Sequence, residues 1–179
     1  QNESAWGYVN IGNRLCLCEI EKFVKIDNKK IKTRRAKIIA INENIPAKYL
    51  EYTSISLRKS ATLNLPQAKK IGGEIVVYES ATLDMPQATE IGGSIYVDES
   101  ATLNIPQVAE IGRYIRVGKS ATLHLPQAKK IGGYIWVEKS ATLNLPQAKK
   151  IGGYIWVEEN ATLNLPQATE IGGSIVVDE

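Results

Sequence analysis

The side chains best suited to chemistry in this 179-residue chain recur at a fixed interval. Tyr114, Tyr134 and Tyr154 fall one after another at a 20-residue spacing, and so do Tyr96, Arg116, Trp136 and Trp156. Tyr, Trp and Arg are the residue types in which binding energy concentrates at protein interfaces, because each combines a large rigid contact area with a polar handle. Asp98, Glu138 and Glu158 fall in one column of the same 20-residue repeat, with Gly118 between the first two. Two carboxylates on a β-solenoid face can cleave glycans when one is held as acid and the other as base, but these three follow the repeat and show no such pairing. The single histidine, His124, stands where the other repeats have Asn or Asp, with no Ser or Cys nucleophile beside it. The Gly-Gly pairs are periodic, so they are turns of the scaffold and not a phosphate loop, which needs a strand-to-helix setting. Cys16 and Cys18 are two ligands where a zinc site needs more. They are read as small buried hydrophobes, and they make no disulfide framework. The expectation is a protein that is not an enzyme, with no catalytic residue, no metal and no cofactor.

The elements that position these residues follow from the repeat itself. From Ser60 the pattern SATLNLPQAKKIGGxIxVxx runs through coils 60–79, 80–99, 100–119, 120–139, 140–159 and 160–179 without insertion or deletion. A degenerate capping coil precedes them at 40–59, where Ile45-Pro46 aligns with Leu65-Pro66 and Ile55-x-Leu57 with Ile75-x-Val77. Thr62-Leu63-Asn64-Leu65 and Glu74-Ile75-Val76-Val77-Tyr78 alternate with period two, the mark of strands with one buried face. The inward columns are then Leu63, Leu65, Ile71, Ile75 and Val77, with Ala61 and Ala68 at tight places. Pro66 ends the first strand, because it lacks a ladder donor, and Gly72-Gly73 marks a turn of close backbone approach. Only the first glycine is constant, since the third coil reads Gly112-Arg113. The five residues between Pro and Gly leave room for one helical turn at most. A 20-residue period is too short for helix–turn–helix repeats. The predicted fold is all-β: a parallel β-helix, or solenoid, whose coils stack at about 4.8 Å. An inward aliphatic contributes roughly 1.5–3 kcal/mol against about 1–2 kcal/mol per ordered residue. A lone coil therefore cannot stand, and the stack folds cooperatively.

Comparing the coils with one another separates scaffold from candidate site. The outward residues of the first strand are nearly constant, Thr62 to Thr162 in one column and Asn64, Asp84, Asn104, His124, Asn144 and Asn164 in the other. Such a regular Thr-x-Asn array is what an ice-binding solenoid would present, although Thr suits any exposed strand and Asn any turn. The outward residues of the second strand vary, and there Tyr96, Tyr114, Arg116, Tyr134, Trp136, Tyr154 and Trp156 gather into one patch. This patch is the candidate binding face for a protein or glycan ligand. The competing reading is that the aromatics stack along a ladder for stability. Lys69-Lys70, Lys129-Lys130 and Lys149-Lys150 alternate with Thr89-Glu90, Ala109-Glu110 and Thr169-Glu170, which reads as a solvated edge.

Residues 1–39 form a basic N-terminal cap. They hold nine Lys or Arg against four acids, so the remainder of this net +3 chain is acidic. Alternating runs on either side of Asp27-Asn28 predict a β-hairpin or small sheet over the first coil. The run from Lys29 to Lys37 could meet phosphates, yet no nucleic-acid motif accompanies it, and blunting a sheet edge is the expected role. No apolar run reaches the roughly 20 residues of a membrane span. No signal peptide is visible, and the compartment is left open. The last coil carries no capping change, so either further chain or end-to-end association is expected to cover it.

The sequence SATLNLPQAKKIGGYIWVEKSATLNLP resembles the receptor L-domain type of leucine-rich-like repeat, whose hallmark is L-x-L-P-x-h-x-x-I-G-G-x-I-x-V with h apolar. The likeness covers residues 45–179. It is similar also to leucine-rich repeat proteins of bacteria and their phages. The resemblance implies a single-stranded right-handed β-helix and a habit of binding proteins or other ligands on one sheet face. Apart from the resemblance, the alternative reading is a structural role, as a virion or cell-surface component associating through its ends. The chain departs from receptor domains in its rigid 20-residue coils. It departs from ordinary leucine-rich repeats in lacking the asparagine ladder, for the nearest column reads Ser in five coils and then Asn160.

Overall fold

The computed structural model describes residues 5–11, 14–25, 31–41, 44–51 and 53–178. Each 20-residue period forms one turn of a parallel β-solenoid. Strands Ile55–Leu57, Ile75–Val77 and their equivalents up to Ile175–Val177 make a seven-stranded parallel sheet in sequence order. The register is a shift of one period, so Ile95 lies beside Ile75 on one side and Ile115 on the other. Register is fixed because a one-residue slip would turn every buried aliphatic outward.

Each coil carries a strand more than the alternation predicts. Lys70–Ile71 and its equivalents up to Glu170–Ile171 form a six-stranded sheet of their own. The segment left open for a helical turn is a β-turn followed by this two-residue strand. The Ala68 N–H donates to the Leu65 carbonyl at 3.0 Å. Pro66, at the second position of that turn, has the fixed φ such a turn uses.

The predicted inward columns are the core. Ala61, Leu63, Leu65, Ala68, Ile71, Ile75 and Val77 are all buried, and their equivalents stay buried through the fifth repeat. Each coil is covered by the next. Ile155 and Val157 are 2% and 8% exposed, whereas Ile175 and Val177 on the last strand are 58% and 63% exposed. At the other end the capping coil has α1, a single turn at Ala47–Leu50, where the first repeat has Gln67 to Lys70, and it buries Leu50 along with Ile45. The carbonyl of Ile45 accepts from Gln67 Nε2 at 3.0 Å, tying the capping coil to the first repeat.

Two backbone devices close the coil. Ser60, Ser80, Ser100, Ser120 and Ser140 adopt φ between 57° and 60°, and Asn160 adopts 56°. This left-handed conformation costs an L-residue with a Cβ roughly 1–2 kcal/mol, less for Asn. It lets each chain turn back into the first strand, with the Ala61 N–H donating to Arg58 O at 3.0 Å. At the other corner the first glycine packs on the glycine below it. A Cβ on Gly112 would lie 2.1 Å from the Gly92 carbonyl oxygen, and one on Gly132 would lie 2.2 Å from that of Gly112. The second glycine is close-packed too, a Cβ on Gly93 lying 2.4 Å from the Gly73 carbonyl oxygen, and nothing in the structure explains why that column admits Arg113.

The first-strand sheet is broken. Strands Thr62–Asn64, Thr82–Asp84 and Thr102–Asn104 form one three-stranded sheet, and Thr122–His124, Thr142–Asn144 and Thr162–Asn164 form another. In the regular coils Thr82 N–H donates to Ala61 O, Ser80 N–H to Glu99 O and Met85 N–H to Asn104 O. The three matching bonds between the third and fourth repeats are missing, those of Thr122 to Ala101, Ser100 to Lys119 and Ile105 to His124. Ala101 and Leu103 are accordingly 7% and 8% exposed, more than their equivalents in the neighbouring coils. The other two sheets run through unbroken. In this repeat the fully buried Val108 fills a column that is alanine in every other repeat. Its added bulk lies at the corner where the first strand leaves the core, and in a close-packed interior extra methyl groups are accommodated by backbone shifts.

At the N-terminus β1 (Ala5–Ile11), β2 (Arg14–Lys25) and β3 (Ile31–Ile41) form an antiparallel sheet in sequence order. Cys16 and Cys18 lie on β2, where the pairing with β3 is irregular between Leu17 and Cys18. The Asp27-Asn28 turn and the basic residues Lys29 and Lys30 lie outside the described residues. No helix among the described residues is long and apolar enough to cross a membrane.

Candidate functional site

The seven predicted site residues all project from the seven-stranded sheet, on or just before its strands, because their columns alternate with the buried Ile and Val columns. Parallel in-register pairing repeats each column once per coil, so like side chains meet like. Tyr114 and Tyr134 stack with centroids 4.6 Å apart and planes within 5°. Tyr134 and Tyr154 stack at 4.8 Å, and Trp136 and Trp156 at 5.1 Å. Arg116 completes the second column, with its guanidinium carbon 5.1 Å from the Tyr96 ring centroid and 4.3 Å from that of Trp136. The sequence-predicted residues thus come together as two adjoining stacks, Tyr114-Tyr134-Tyr154 and Tyr96-Arg116-Trp136-Trp156. Tyr154 is 39% exposed and the other six are half-buried.

Arg116, Trp136 and Trp156 are held by acids, of which sequence reasoning considered Glu138 and Glu158 only as catalysts. Glu138 Oε1 accepts from Arg116 Nε, while its Oε2 accepts from the Lys119 backbone N–H at 3.2 Å. Glu158 repeats the arrangement one coil on, taking Trp136 Nε1–H at 2.7 Å and the Lys139 N–H at 3.0 Å. Asp178 takes Trp156 Nε1–H at 3.0 Å. In each case the acid lies 22 residues after its donor, which is one period plus the two-residue step between outward columns. That offset was the available signal in the sequence. Both oxygens of Glu138 and Glu158 are therefore bonded within the scaffold. In the third repeat Gly118 replaces the acid, so Tyr96 has no such clamp and stands instead beside Asp98 of its own coil. Burial, followed by the charge and hydrogen bond of Asp98, pushes the Tyr96 hydroxyl up to about 12. Burial between Tyr114 and Tyr154 likewise raises that of Tyr134.

Tyr78 was not among the predicted site residues. It is 40% exposed and meets Tyr96 edge to face at 6.5 Å, extending the patch toward the capping coil. No aromatic occupies its column in the other coils, so column comparison gave no signal for it.

The other faces carry polar ladders. Asn104 Nδ2 donates to Asp84 Oδ1 and Asn164 Nδ2 to Asn144 Oδ1, both at 2.6 Å. The Thr-x-Asn array is interrupted between Thr102 and Thr122 by the broken sheet, with His124 on the far side of the gap beside Asn144. On the third sheet Lys70 pairs with Glu90 at 2.7 Å and Lys150 with Glu170 at 2.6 Å. Exposed pairs of this kind contribute about 0–1 kcal/mol each, in keeping with a solvated edge.

Comparison with protein-family models, with curated proteins and with solved structures finds no match, so the likeness to leucine-rich-like repeats rests on the motif alone.

Proposed function

We propose that the chain is a non-enzymatic recognition module whose two aromatic stacks bind a protein partner. One observation carries this reading. The outward columns of the second strand vary between coils and place Tyr, Trp and Arg side by side, and acid clamps hold Arg116, Trp136 and Trp156 in a single arrangement before any partner arrives. Immobilising such side chains in advance removes an ordering cost of about 0.5–1.5 kcal/mol for each one. The chemistry of the exposed surface favours a protein over a glycan. Sugars pack on ring faces, and along these stacks the faces are covered by neighbouring rings. What remains outward is ring edge and tyrosine hydroxyl, and the edge is the positive part of an aromatic quadrupole. A partner surface offering carbonyl and carboxylate acceptors fits that pattern. The likeness of the L-x-L-P and I-G-G motifs to repeats that bind on one sheet face supports the same reading. The Thr face supports ice binding less well, since its array is split between Thr102 and Thr122.

The test uses substitutions that the protein already tolerates. Tyr134→Ser, Trp136→Val, Tyr154→Ser and Trp156→Val give two middle coils the residues of Ser174 and Val176 in the last repeat. Wild-type and variant protein, both confirmed as folded by circular dichroism, are used to capture partners from lysate. Each captured protein is then purified and titrated directly. A partner that binds the wild type and is lost on the variant sustains the proposal. Equal binding to both assigns the stacks to stability alone, and the reading fails.

A further inference from the structure

A second site lies at the sheet's entry turn, from the capping coil to the third repeat, next to Tyr114 at the end of the tyrosine column. The Gly-Gly column leaves a groove of about 580 Å³ there, floored by Gly73 and Gly93 and walled by Ser54, Glu74, Ser94 and Arg113. Its walls depart from the repeat. Arg113 is the one side chain in a column of glycines, and Glu74 stands where the other coils have Ser or Tyr. Both are exposed, and neither has an ion-pair partner among the described residues. Ser94, 4% exposed as a residue, lines the groove between the two charged side chains.

We infer that this groove binds a short zwitterionic peptide in extended form, its carboxylate on Arg113 and its ammonium on Glu74. The two charges sit two coils apart, or roughly 10 Å at the strand spacing. An extended chain covers about 3.3–3.6 Å per residue, so three residues fit the span. A guanidinium fork matches a carboxylate in two parallel hydrogen bonds. The glycine floor lets a peptide backbone approach to contact distance, and Ser94 can donate to or accept from its amides. The site adjoins the tyrosine stack but uses none of its rings, so it is tested separately from them.

The probe is triglycine, with N-acetyl-triglycine and triglycine amide as its single-charge controls. Binding is followed by the amide shifts of Gly73, Gly93 and Ser94 in ¹H–¹⁵N spectra. Two variants install residues that other coils carry in the same columns, Arg113→Gly and Glu74→Ser, so both are expected to keep the wild-type spectrum elsewhere. Saturable shifts at these amides are expected with triglycine. A loss of about tenfold or more is expected on Arg113→Gly, the scale of a charged hydrogen-bonded contact. Triglycine amide should bind the wild type as weakly as triglycine binds Arg113→Gly. N-acetyl-triglycine should match triglycine on Glu74→Ser. Absence of shifts up to about 20 mM triglycine, above the weakest affinity such a site should show, overturns the inference. Shifts that Arg113→Gly leaves unchanged overturn it as well.

Discussion

Val108→Ala tests whether one side chain opens the seam between the third and fourth repeats. In an ordinary core position this change removes two buried carbon groups, at about 0.8 kcal/mol each, for a loss near 1.6 kcal/mol before any cavity is counted. Here the alanine restores the residue that every other repeat has in this column. If Val108 is the wedge, the strand Thr102–Asn104 moves onto Thr122–His124, and three backbone hydrogen bonds form that are now missing. At about 0.5–1.5 kcal/mol net for each bond, the gain is about 1.5–4.5 kcal/mol. The two effects leave the variant between unchanged and about 3 kcal/mol more stable. Val137→Ala, on the unbroken seven-stranded sheet, has no such compensation and should lose about 2 kcal/mol. Urea unfolding compares the two variants, and amide hydrogen exchange locates the change. Exchange at Ser100, Ile105 and Thr122 should slow in Val108→Ala, while that at Thr142 and Leu145, whose rungs already exist, stays as it was. A Val108→Ala protein as destabilised as Val137→Ala, with those three amides exchanging as fast as before, would refute the wedge.

Three further predictions follow from the clamps, the turns and the buried hydroxyl. Glu158→Ala removes the acceptor of both Trp136 Nε1–H and Lys139 N–H, and should cost about 1–2 kcal/mol in urea unfolding. Most of that loss should vanish in a background already carrying Trp136→Val, which a double-mutant cycle reads as coupling. Ser120→Asn places at a left-handed position the residue that Asn160 already supplies, and should stabilise by about 0.5–1 kcal/mol, whereas Ser120→Val should destabilise by more than that. Tyr96 keeps its proton to about 12 in the folded protein but releases it near the ordinary value of 10.0 once unfolded. Both states are neutral below that lower value, so its contribution is complete there. As the pH rises from about 10 to about 12 the unfolded state ionises first and stability falls. Tyr96→Phe should flatten that decline, and absorbance titration near 295 nm should show one hydroxyl titrating late.

The core of the solenoid was legible because burial imposes a column rule that each coil repeats. Leu63, Leu65, Ile75 and Val77 alternate with polar neighbours, and the alternation alone places them inward. Lys70–Ile71 escaped notice because two residues cannot display a period of two. The aromatic columns were also legible, since parallel pairing at a 20-residue shift must bring Tyr134 over Tyr114 and Trp156 over Trp136. Their fixing by Glu138 and Glu158 was not, although the 22-residue offset was present. A hydrogen bond running between columns as well as between coils leaves no trace in either column read alone. Arg113 was visible as a departure from Gly-Gly. The groove it closes was not visible, because that volume depends on what glycine leaves empty in the two coils below.

The departures from the repeat are concentrated in one coil. Val108, Arg113, Arg116 and Gly118 all belong to the third repeat, and each changes a different part of the molecule. Val108 lies at the seam in the first sheet, and Arg113 closes the groove. Arg116 interrupts an aromatic column with a charge that Glu138 then holds, and Gly118 removes the acid that would have clamped Tyr96. In a stack where each coil touches only its neighbours, a substitution acts no further than one coil to either side. A chain can therefore collect such changes in one place while the flanking coils, kept regular, hold the core together. The six nearly identical repeats supply cooperative stability, and the irregular third repeat supplies the features that a ligand could distinguish. Moving those residues together into the fifth repeat would carry the seam and the unclamped ring position with them if the argument from neighbour contacts is sound, while the groove, whose Glu74 and Ser94 lie in the first and second repeats, would lose its Arg113 wall. The move would leave the third repeat with the continuous first-strand sheet of its neighbours.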